Sequence, residues 1–422
     1  MTESEERLTS TTAPTERHGQ KVVLPPHRQR AARPYQVRAA NWLRINLFAS
    51  WDRTLLTVIS FAILGSVIAF VVWFVMSYAN WNVVTDNRRL LLIGSFPHGA
   101  EWRLWVGLCF VFTLAGASYG MWSKLGLRDG LFIVIGSAFA LFMILHETSQ
   151  AWAALWFGVA VVLLSVGYLL CRLVPREEGP TRRVATRVLG LLLALSVPIV
   201  FALLMAGPGG ADANELSGYL LNLLLAPAGI AGGILVGIPL ALGRASSLKA
   251  ISWTCTAYIE VVRGAPLIGW LFVALFILSD IIGGDLIVRT MVVLAIFTGA
   301  YMAEYIRGGL QALPRGQYEA GHAVGLPHWR TMQLIILPQA LRISIPPIVG
   351  QAIALWKDTA LISIILPLRE LVGSSRSAIA QGEFITARIE VYVFAAVMFW
   401  IVAFVMSRVS QRIERSLGVG QR

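Results

Sequence analysis

The sequence predicts an all-α, polytopic membrane protein with about ten transmembrane helices. Three observations lead there. Of 422 residues, 56% are hydrophobic and only 14% are charged, too few charges to cover a soluble domain of this length. Several stretches of about 20 residues carry almost no charge, which is the length needed to cross a bilayer as a helix. The basic residues sit in clusters between those stretches. Lipid offers the backbone no hydrogen bonds, so the apolar stretches read as helices and not as open sheet.

Residues 1–53 form a polar tail, rich in Thr, Pro and Arg in its first part, without the early apolar core of a cleavable signal peptide. The composition of residues 1–34 reads as disordered. Between Tyr35 and Trp51, the positions Val37, Trp42, Leu43, Ile45, Leu47 and Phe48 read as an amphipathic helix lying on the membrane surface. Spans are then expected over 54–78, 104–122, 130–145, 151–171, 188–206, 217–242, 265–281, 288–306, 338–356 and 389–407.

Alternating the chain through these spans from a cytoplasmic N-terminus leaves 27 of the 35 Lys and Arg on the inner side and 8 on the outer side. The reverse orientation inverts that ratio and breaks the positive-inside rule. Arg172, Arg176, Arg182, Arg183 and Arg187 form the clearest anchor. Both termini are therefore expected in the cytoplasm. The formal net charge of +12 is explained by these loops, so nucleic acid is not implied. The chain divides into the tail 1–53, five apolar spans in 54–206, a second five-span region over 216–410 with more Gly, Pro and polar residues, and a short tail 411–422.

Several chemistries drop out. Cys109, Cys171 and Cys255 are scattered in or beside apolar stretches and offer neither disulfide nor metal spacing. The histidines are isolated, with no metal set or catalytic arrangement. No Gly-x-x-x-x-Gly-Lys-Ser/Thr phosphate loop occurs. The run from Gly229 to Gly237 follows no strand, and its small residues at spacings of three and four read as a helix-packing stripe. No catalytic residue, metal or cofactor is expected in this chain.

The most informative segment is Glu319-Ala320-Gly321-His322-Ala323-Val324-Gly325-Leu326-Pro327, continuing to Ile335-Ile336-Leu337-Pro338. It is too polar to span. Gln317 to Val324 reads as a short helix. Gly325 suits the left-handed position that ends a helix, and Pro327 just beyond prevents continuation. A second helix from His328 to Ile335 is expected to turn into the next span at Pro338. The expected product is a stiff helix–turn–helix projecting from the membrane.

This segment, within 312–338, resembles the EAA loop of ABC importer permeases: Glu-Ala-Ala, three residues, Gly, nine residues, Ile-x-Leu-Pro. Glu319, Ala320, Gly325, Ile335, Leu337 and Pro338 fall at those spacings, with Gly321 where the pattern has Ala. Three further tracts resemble the polar amino acid branch of that family: Tyr258 to Leu267, Thr298 to Gly309, and Lys357-Asp358-Thr359-Ala360-Leu361, with Ala360 for the usual Ser. The resemblance covers about 216–410. The five-span extension before it resembles the long permease subunit of general L-amino acid transporters.

The resemblance implies a transport subunit of a bacterial inner-membrane importer, not an enzyme. ATP and Mg would be bound by a separate ATPase present in two copies. A second related permease and a periplasmic amino-acid-binding protein would complete the assembly. Glu319, Ala320, Gly321, Gly325, Leu326, Pro327, Leu337 and Pro338 would form the contact with the ATPase. A zwitterionic substrate needs groups for a carboxylate and an ammonium, and charges deep in a membrane usually serve function. Gln351, Lys357, Asp358 and Thr359 are the path candidates, although Lys357 suits snorkelling to the interface equally well. For Glu304, an ion pair with Arg307 at i+3 outweighs substrate contact. Glu260 and Arg263 likewise read as scaffold. Pro346 and Pro347 are expected to kink their span or to expose carbonyls to the cavity. An ion-driven secondary transporter is the alternative; it would show paired acids within spans and a repeat through the whole chain, and neither is visible.

Overall fold

The computed structural model of the chain describes residues 35–122, 151–175 and 179–417. The expected third span (130–145), Arg176 and the first 34 residues lie outside them. Two units are distinguished, Met1–Tyr78 and Ala79–Arg422. In the first, α1 (Tyr35–Leu47) occupies the segment expected at the membrane surface, and Trp42, Leu43 and Ile45 are exposed on it. Thr57 Oγ1 on α2 (Trp51–Trp73) donates to Leu47 O at 2.9 Å and fixes how the two helices join. A π turn extends α2 through Phe74–Tyr78. Nearly all its apolar side chains are exposed, which suits a helix surrounded by lipid or by another chain.

The second unit opens with two short helices, α3 (Asn82–Asp86) and α4 (Arg88–Leu92). Two long ones follow, α5 (Glu101–Trp122) and α6 (Ala151–Leu173). Next come α7 (Pro180–Ala194) and α8 (Ser196–Met205), bent by 49° to one another. Buried Arg103 of α5 reaches the last carbonyls of α8 and just beyond. It donates to Leu203 O at 2.9 Å, Ala206 O at 2.5 Å and Pro208 O at 3.0 Å. A guanidinium is well matched to the unpaired carbonyls and negative dipole at a helix C-terminus.

The remaining elements build the region that carries the motifs. α9 (Gly218–Arg244) leads to α10 (Lys249–Gly264). Ala265 is pushed out of helical geometry by Pro266, and the chain turns 102° into α11 (Leu267–Phe272), a π turn over Val273–Ile277 and α12 (Leu278–Ile281). α13 (Leu286–Gln311) lies along α9. The close approach is made by the predicted small-residue stripe: Gly233 faces Thr298, and Gly237 faces Met302 and Ala303.

α14 (Arg315–Ala323) and α15 (His328–Thr331) form the expected hairpin. The exit from the hairpin differs from expectation. The chain does not turn at Pro338; a π turn over Met332–Ile336 passes directly into α16 (Leu337–Asp358), so His328–Ile365 is one run of 38 residues. Proline has no N–H, and its ring collides with the carbonyl four residues back. Widening the turn, with Leu337 N–H bonding Met332 O, relieves that collision without breaking the helix. Buried Ile336 and Ala340 cluster with Ile306 and Leu310 of α13, which anchors the end of the π turn and the first turn of α16. The helix also continues through Pro346 and Pro347.

A 3-10 turn (Thr359–Leu361), α17 (Ile362–Ile365), α18 (Leu371–Ile379) and α19 (Arg388–Leu417) complete the chain. Seven helices are long and apolar enough to cross a membrane, and the two bent pairs bring the number to as many as nine among the described residues. No strand occurs among them; a single isolated bridge couples Gly218 to Glu370.

Within the second unit, the short helices α3 and α4 share a core with the motif-bearing region. Val83 and Leu91 lie in a buried cluster with Tyr219, Trp356, Leu371 and Val391. Polar ties reinforce it: Gln381 Nε2 donates to Asn87 Oδ1 at 2.7 Å, Asn80 N to Glu390 Oε1 at 3.0 Å, and Ser95 N to Ser217 Oγ at 2.8 Å.

Candidate functional site

The hairpin is built by local rules. Pro314 and Pro327 occupy the position before each short helix in extended geometry. α14 ends as the sequence predicts, with Gly325 at φ +77°. Leu326 N–H bonds Gly321 O at 3.1 Å and Gly325 N–H bonds His322 O at 2.9 Å. These two bonds define a Schellman cap, which only a residue tolerant of positive φ closes without strain. Gln339 Nε2 donates to Gln317 Oε1 at 3.1 Å and ties the first arm to α16. Glu319 and Ala320 are exposed on α14, Leu326 is half-buried, and Pro327 is exposed at the tip. Val324 and Trp329, 73% and 60% exposed, leave an apolar patch beside them. Leu337 is half-buried and Pro338 exposed at the foot of the hairpin.

Gly321, the one departure from the family pattern, is buried against the second arm. A methyl group there would overlap Thr331 Cγ2 and lie 2.9 Å from Thr331 Oγ1. The two arms are thus matched to glycine, and restoring the family's alanine is expected to harm this chain. Overpacking costs about 1–3 kcal/mol, against about 0.5–1 kcal/mol gained by replacing glycine in a helix. Gly321→Ala should lower uptake severalfold, and adding Thr331→Ala should restore it. Transport assays on the single and double variants decide the point; equal activity of Gly321→Ala and the parent would remove the constraint.

Behind the hairpin lies an ionic cluster at one end of the bundle. Glu304 Oε2 sits 3.0 Å from Arg244 Nη1 and 3.7 Å from Arg263 Nη1, and its Oε1 accepts from Arg307 Nη2 at 2.5 Å. Glu260 Oε1 pairs with Arg244 Nη2 at 3.0 Å. Arg263 also stacks over the Tyr301 ring at 5.4 Å. The expected Glu304–Arg307 pair is present, and Glu260 and Arg263 join it. Arg244 does so unannounced by any motif; its only sequence signal is a basic residue in the last turn of α9. The cluster locks α9, α10 and α13 together where α13 leads into the hairpin.

The path candidates lie on α16 and the turn after it. Gln351 is buried and accepts from Tyr305 Oη at 3.3 Å. Asp358 is half-buried and Lys357 exposed. Gln351 and Asp358 are seven positions apart, so they share a face at a separation of about 10 Å. Glu304, on α13 within the ionic cluster, is not brought to this set.

One buried group near them carries no sequence signal of its own. Glu370 is fully buried and caps α18, accepting from Val372 N at 2.9 Å and Gly373 N at 3.1 Å. Ser363 Oγ donates to it at 2.6 Å and Asn222 Nδ2 at 3.2 Å. Burial pushes the Glu370 carboxyl above the usual carboxylate range, while the bonds from Ser363, Val372 N, Asn222 and Gly373 N oppose that rise. Among the described residues no group of three or more His, Cys, Asp or Glu is arranged to hold a metal.

An apolar helical bundle with an exposed, capped hairpin rooted in one long helix marks an integral membrane protein. Comparison with known proteins identifies which kind. Residues 233–419 match the family model described as binding-protein-dependent transport system inner membrane component. The glutamate/glutamine/aspartate/asparagine transport system permease BztC of Rhodobacter capsulatus is 33% identical, over 90% of this chain and 94% of its own. The inner membrane amino-acid ABC transporter permease YhdY of Escherichia coli is also 33% identical, over 94% of this chain and 98% of its own. A solved structure, of an amino acid ABC transporter with histidines, shares 28% identity over 47% of this chain and 92% of its own, with a TM-score of 0.43. The chain belongs to the amino-acid ABC transporter permeases of the inner membrane. A permease of this family is a transport subunit and not an enzyme; it works with a separate ATPase and a substrate-binding protein. The match to BztC and YhdY runs through the N-terminal extension. The glutamate/aspartate import permease GltK of Escherichia coli, by contrast, covers 92% of its own length with 47% of this chain.

Proposed function

We propose that this chain forms the substrate path of an importer for L-amino acids of broad range and couples that path to ATP hydrolysis through the hairpin at 312–338. In this reading residues 216–410 are the permease domain, 54–206 an added five-span extension, and both termini are cytoplasmic. Two ATPase copies bind ATP and Mg, a second related permease pairs with this chain, and a periplasmic binding protein delivers substrate. Glu319 meets a basic residue of the ATPase. Lys357 takes the substrate carboxylate, and Asp358 its ammonium, with Thr359 next in the chain and Gln351 two turns back along the helix.

One observation carries the reading. The second arm of the hairpin is the first part of the 38-residue run His328–Ile365, and Gln351, Lys357 and Asp358 ride on that same run. At 1.5 Å per residue it is about 57 Å long, roughly twice the hydrocarbon thickness. A displacement imposed on the capped hairpin is therefore transmitted along one rod to the path residues, as alternating access requires. The names of BztC and GltK suggest acidic and amide amino acids among the substrates.

Reconstitution tests this. Vesicles holding the chain alone should accumulate no amino acid with or without ATP, and uptake should appear when ATPase, second permease and binding protein are added. Mass spectrometry of the complex purified from its own membrane should find those three partners. Uptake by the isolated chain would end the proposal.

A further inference from the structure

The buried carboxylate of Glu370 has no place in the mechanism so far, yet its bonds converge on the path. Asn222, on α9, is fully buried and stands between Glu370 and the end of α16. Its Nδ2 lies 3.0 Å from Thr359 Oγ1 and 3.2 Å from Glu370 Oε2, and its Oδ1 accepts from Leu371 N at 3.0 Å. Thr359, also fully buried, follows Asp358 directly, and its Oγ1 donates to Trp356 O at 2.7 Å. From the other side Ser363 of α17 donates to Glu370, and Arg376 Nη2 donates to Ser363 Oγ at 3.2 Å. The start of α9, more than a hundred positions away in the chain, thus meets α17 and the start of α18 on one carboxylate, and Asn222 links that carboxylate to the turn after α16.

Capping α18 alone does not account for this arrangement. A serine, threonine, aspartate or asparagine caps a helix from the surface, and burying a carboxylate with no cation in direct contact is costly. What the burial adds is a polar tie on the turn itself, beside the apolar packing of Leu355, Trp356 and Ile362 on either side of it. Thr359 is held on its side-chain oxygen, and its neighbours Lys357 and Asp358 are thereby set at one angle about the helix axis.

We infer that Glu370, acting through Asn222 and Thr359, is a positioning residue for the substrate path: it fixes the direction in which the Lys357–Asp358 end of α16 presents its polar groups. The inference rests on the reading of this end of α16 as part of the substrate path. It predicts a dependence on donor and acceptor order and not merely on volume. Asn222→Asp places a second carboxylate about 3 Å from Glu370, where two like charges cannot both remain ionised in a buried site. Glu370→Gln leaves an amide facing the Asn222 amide and loses one acceptor for the α18 N–H groups. Combined, the two changes swap amide and carboxylate and restore one donor–acceptor pair between the positions.

The test uses the whole importer, purified with its ATPase, second permease and binding protein and reconstituted in vesicles with a radiolabelled mixture of the twenty L-amino acids. The quantity read is amino acid transported per ATP hydrolysed. Asn222→Asp and Glu370→Gln should each lower that ratio about tenfold while the complex still assembles and hydrolyses ATP, and Asn222→Asp/Glu370→Gln should recover to within about threefold. Unchanged ratios in both single variants overturn the inference. So does loss of assembly and ATPase activity in step with transport without rescue in the double variant, the pattern of a purely structural role. Asp358→Asn, measured alongside, separates the two readings. If it transports normally while the swap behaves as expected, Asp358 leaves the path and the positioning of the turn stands. If it loses transport while the swap variants do not respond, the inference about Glu370 alone fails.

Discussion

Glu319→Lys should leave the permease folded, inserted and paired, and should reduce ATP-driven uptake about 100-fold. The folding half of this expectation comes from position. Glu319 is exposed on α14, and none of the bonds that close the hairpin involves its side chain. A surface substitution away from such features usually changes stability by less than about 0.5 kcal/mol. The functional half comes from charge. Close charge pairs across a protein interface couple by about 1.5–7 kcal/mol, and reversing one member turns attraction into repulsion. The hairpin itself stays stiff, because its Schellman cap and the Gln317–Gln339 tie are untouched. The failure should therefore appear as ATPase that no longer drives transport, measured as hydrolysis without uptake in reconstituted vesicles. Reversing a basic residue on the ATPase should restore transport. Normal uptake by Glu319→Lys with the parent ATPase would remove Glu319 from the contact.

Much of this fold was legible because the bilayer simplifies the problem. Length and apolarity alone locate most of the long helices, and Gly325 followed by Pro327 is a local signal whose geometry is set within five residues. The π turn was hidden for a physical reason. Pro338 signals that an α-helical bond is lost, but whether the chain breaks or widens is decided by packing. Here Ile336 and Ala340 are both buried against α13, so widening wins. The polar nodes were hidden for another reason. Asn222 and Glu370 are 148 positions apart, and each looks like an isolated polar residue near an apolar segment. Nothing in its neighbourhood names its partner. By charge alone Arg103 is one more basic residue of an outer loop, whereas its three bonds to carbonyls make it a cap for α8. Spacing reveals what a helix does to itself; it does not reveal what two distant side chains do to each other.

The second large effect belongs to the α9–α13 contact. Gly233→Leu should prevent assembly of the importer altogether. In lipid, apolar side chains gain little by leaving their surroundings, so two helices are held by close van der Waals contact between small residues. At Gly233 even a Cβ atom would lie 2.6 Å from Thr298 Cγ2, 2.7 Å from Thr298 Cβ and 3.2 Å from the backbone nitrogen of Gly299. A leucine adds three carbons beyond that point, and the backbone of α13 cannot rotate out of the way as a side chain can. Separating the helices would open the core where Leu221, Leu225, Leu294 and Ala300 are buried together. Extra methylenes in a tight core cost about 1–3 kcal/mol even when neighbours adjust, and total stabilities are only about 5–15 kcal/mol. The ionic cluster would be drawn apart as well, since Arg244 sits on α9 and Glu304 on α13. Leu235, two positions on, is 71% exposed, so Leu235→Phe adds bulk to the same helix on its open side and should assemble normally. Size-exclusion chromatography of the detergent-solubilised complex compares the two. A monodisperse complex from Gly233→Leu, at the yield of Leu235→Phe, would show that the contact tolerates separation and that the small residues of α9 serve some purpose other than packing.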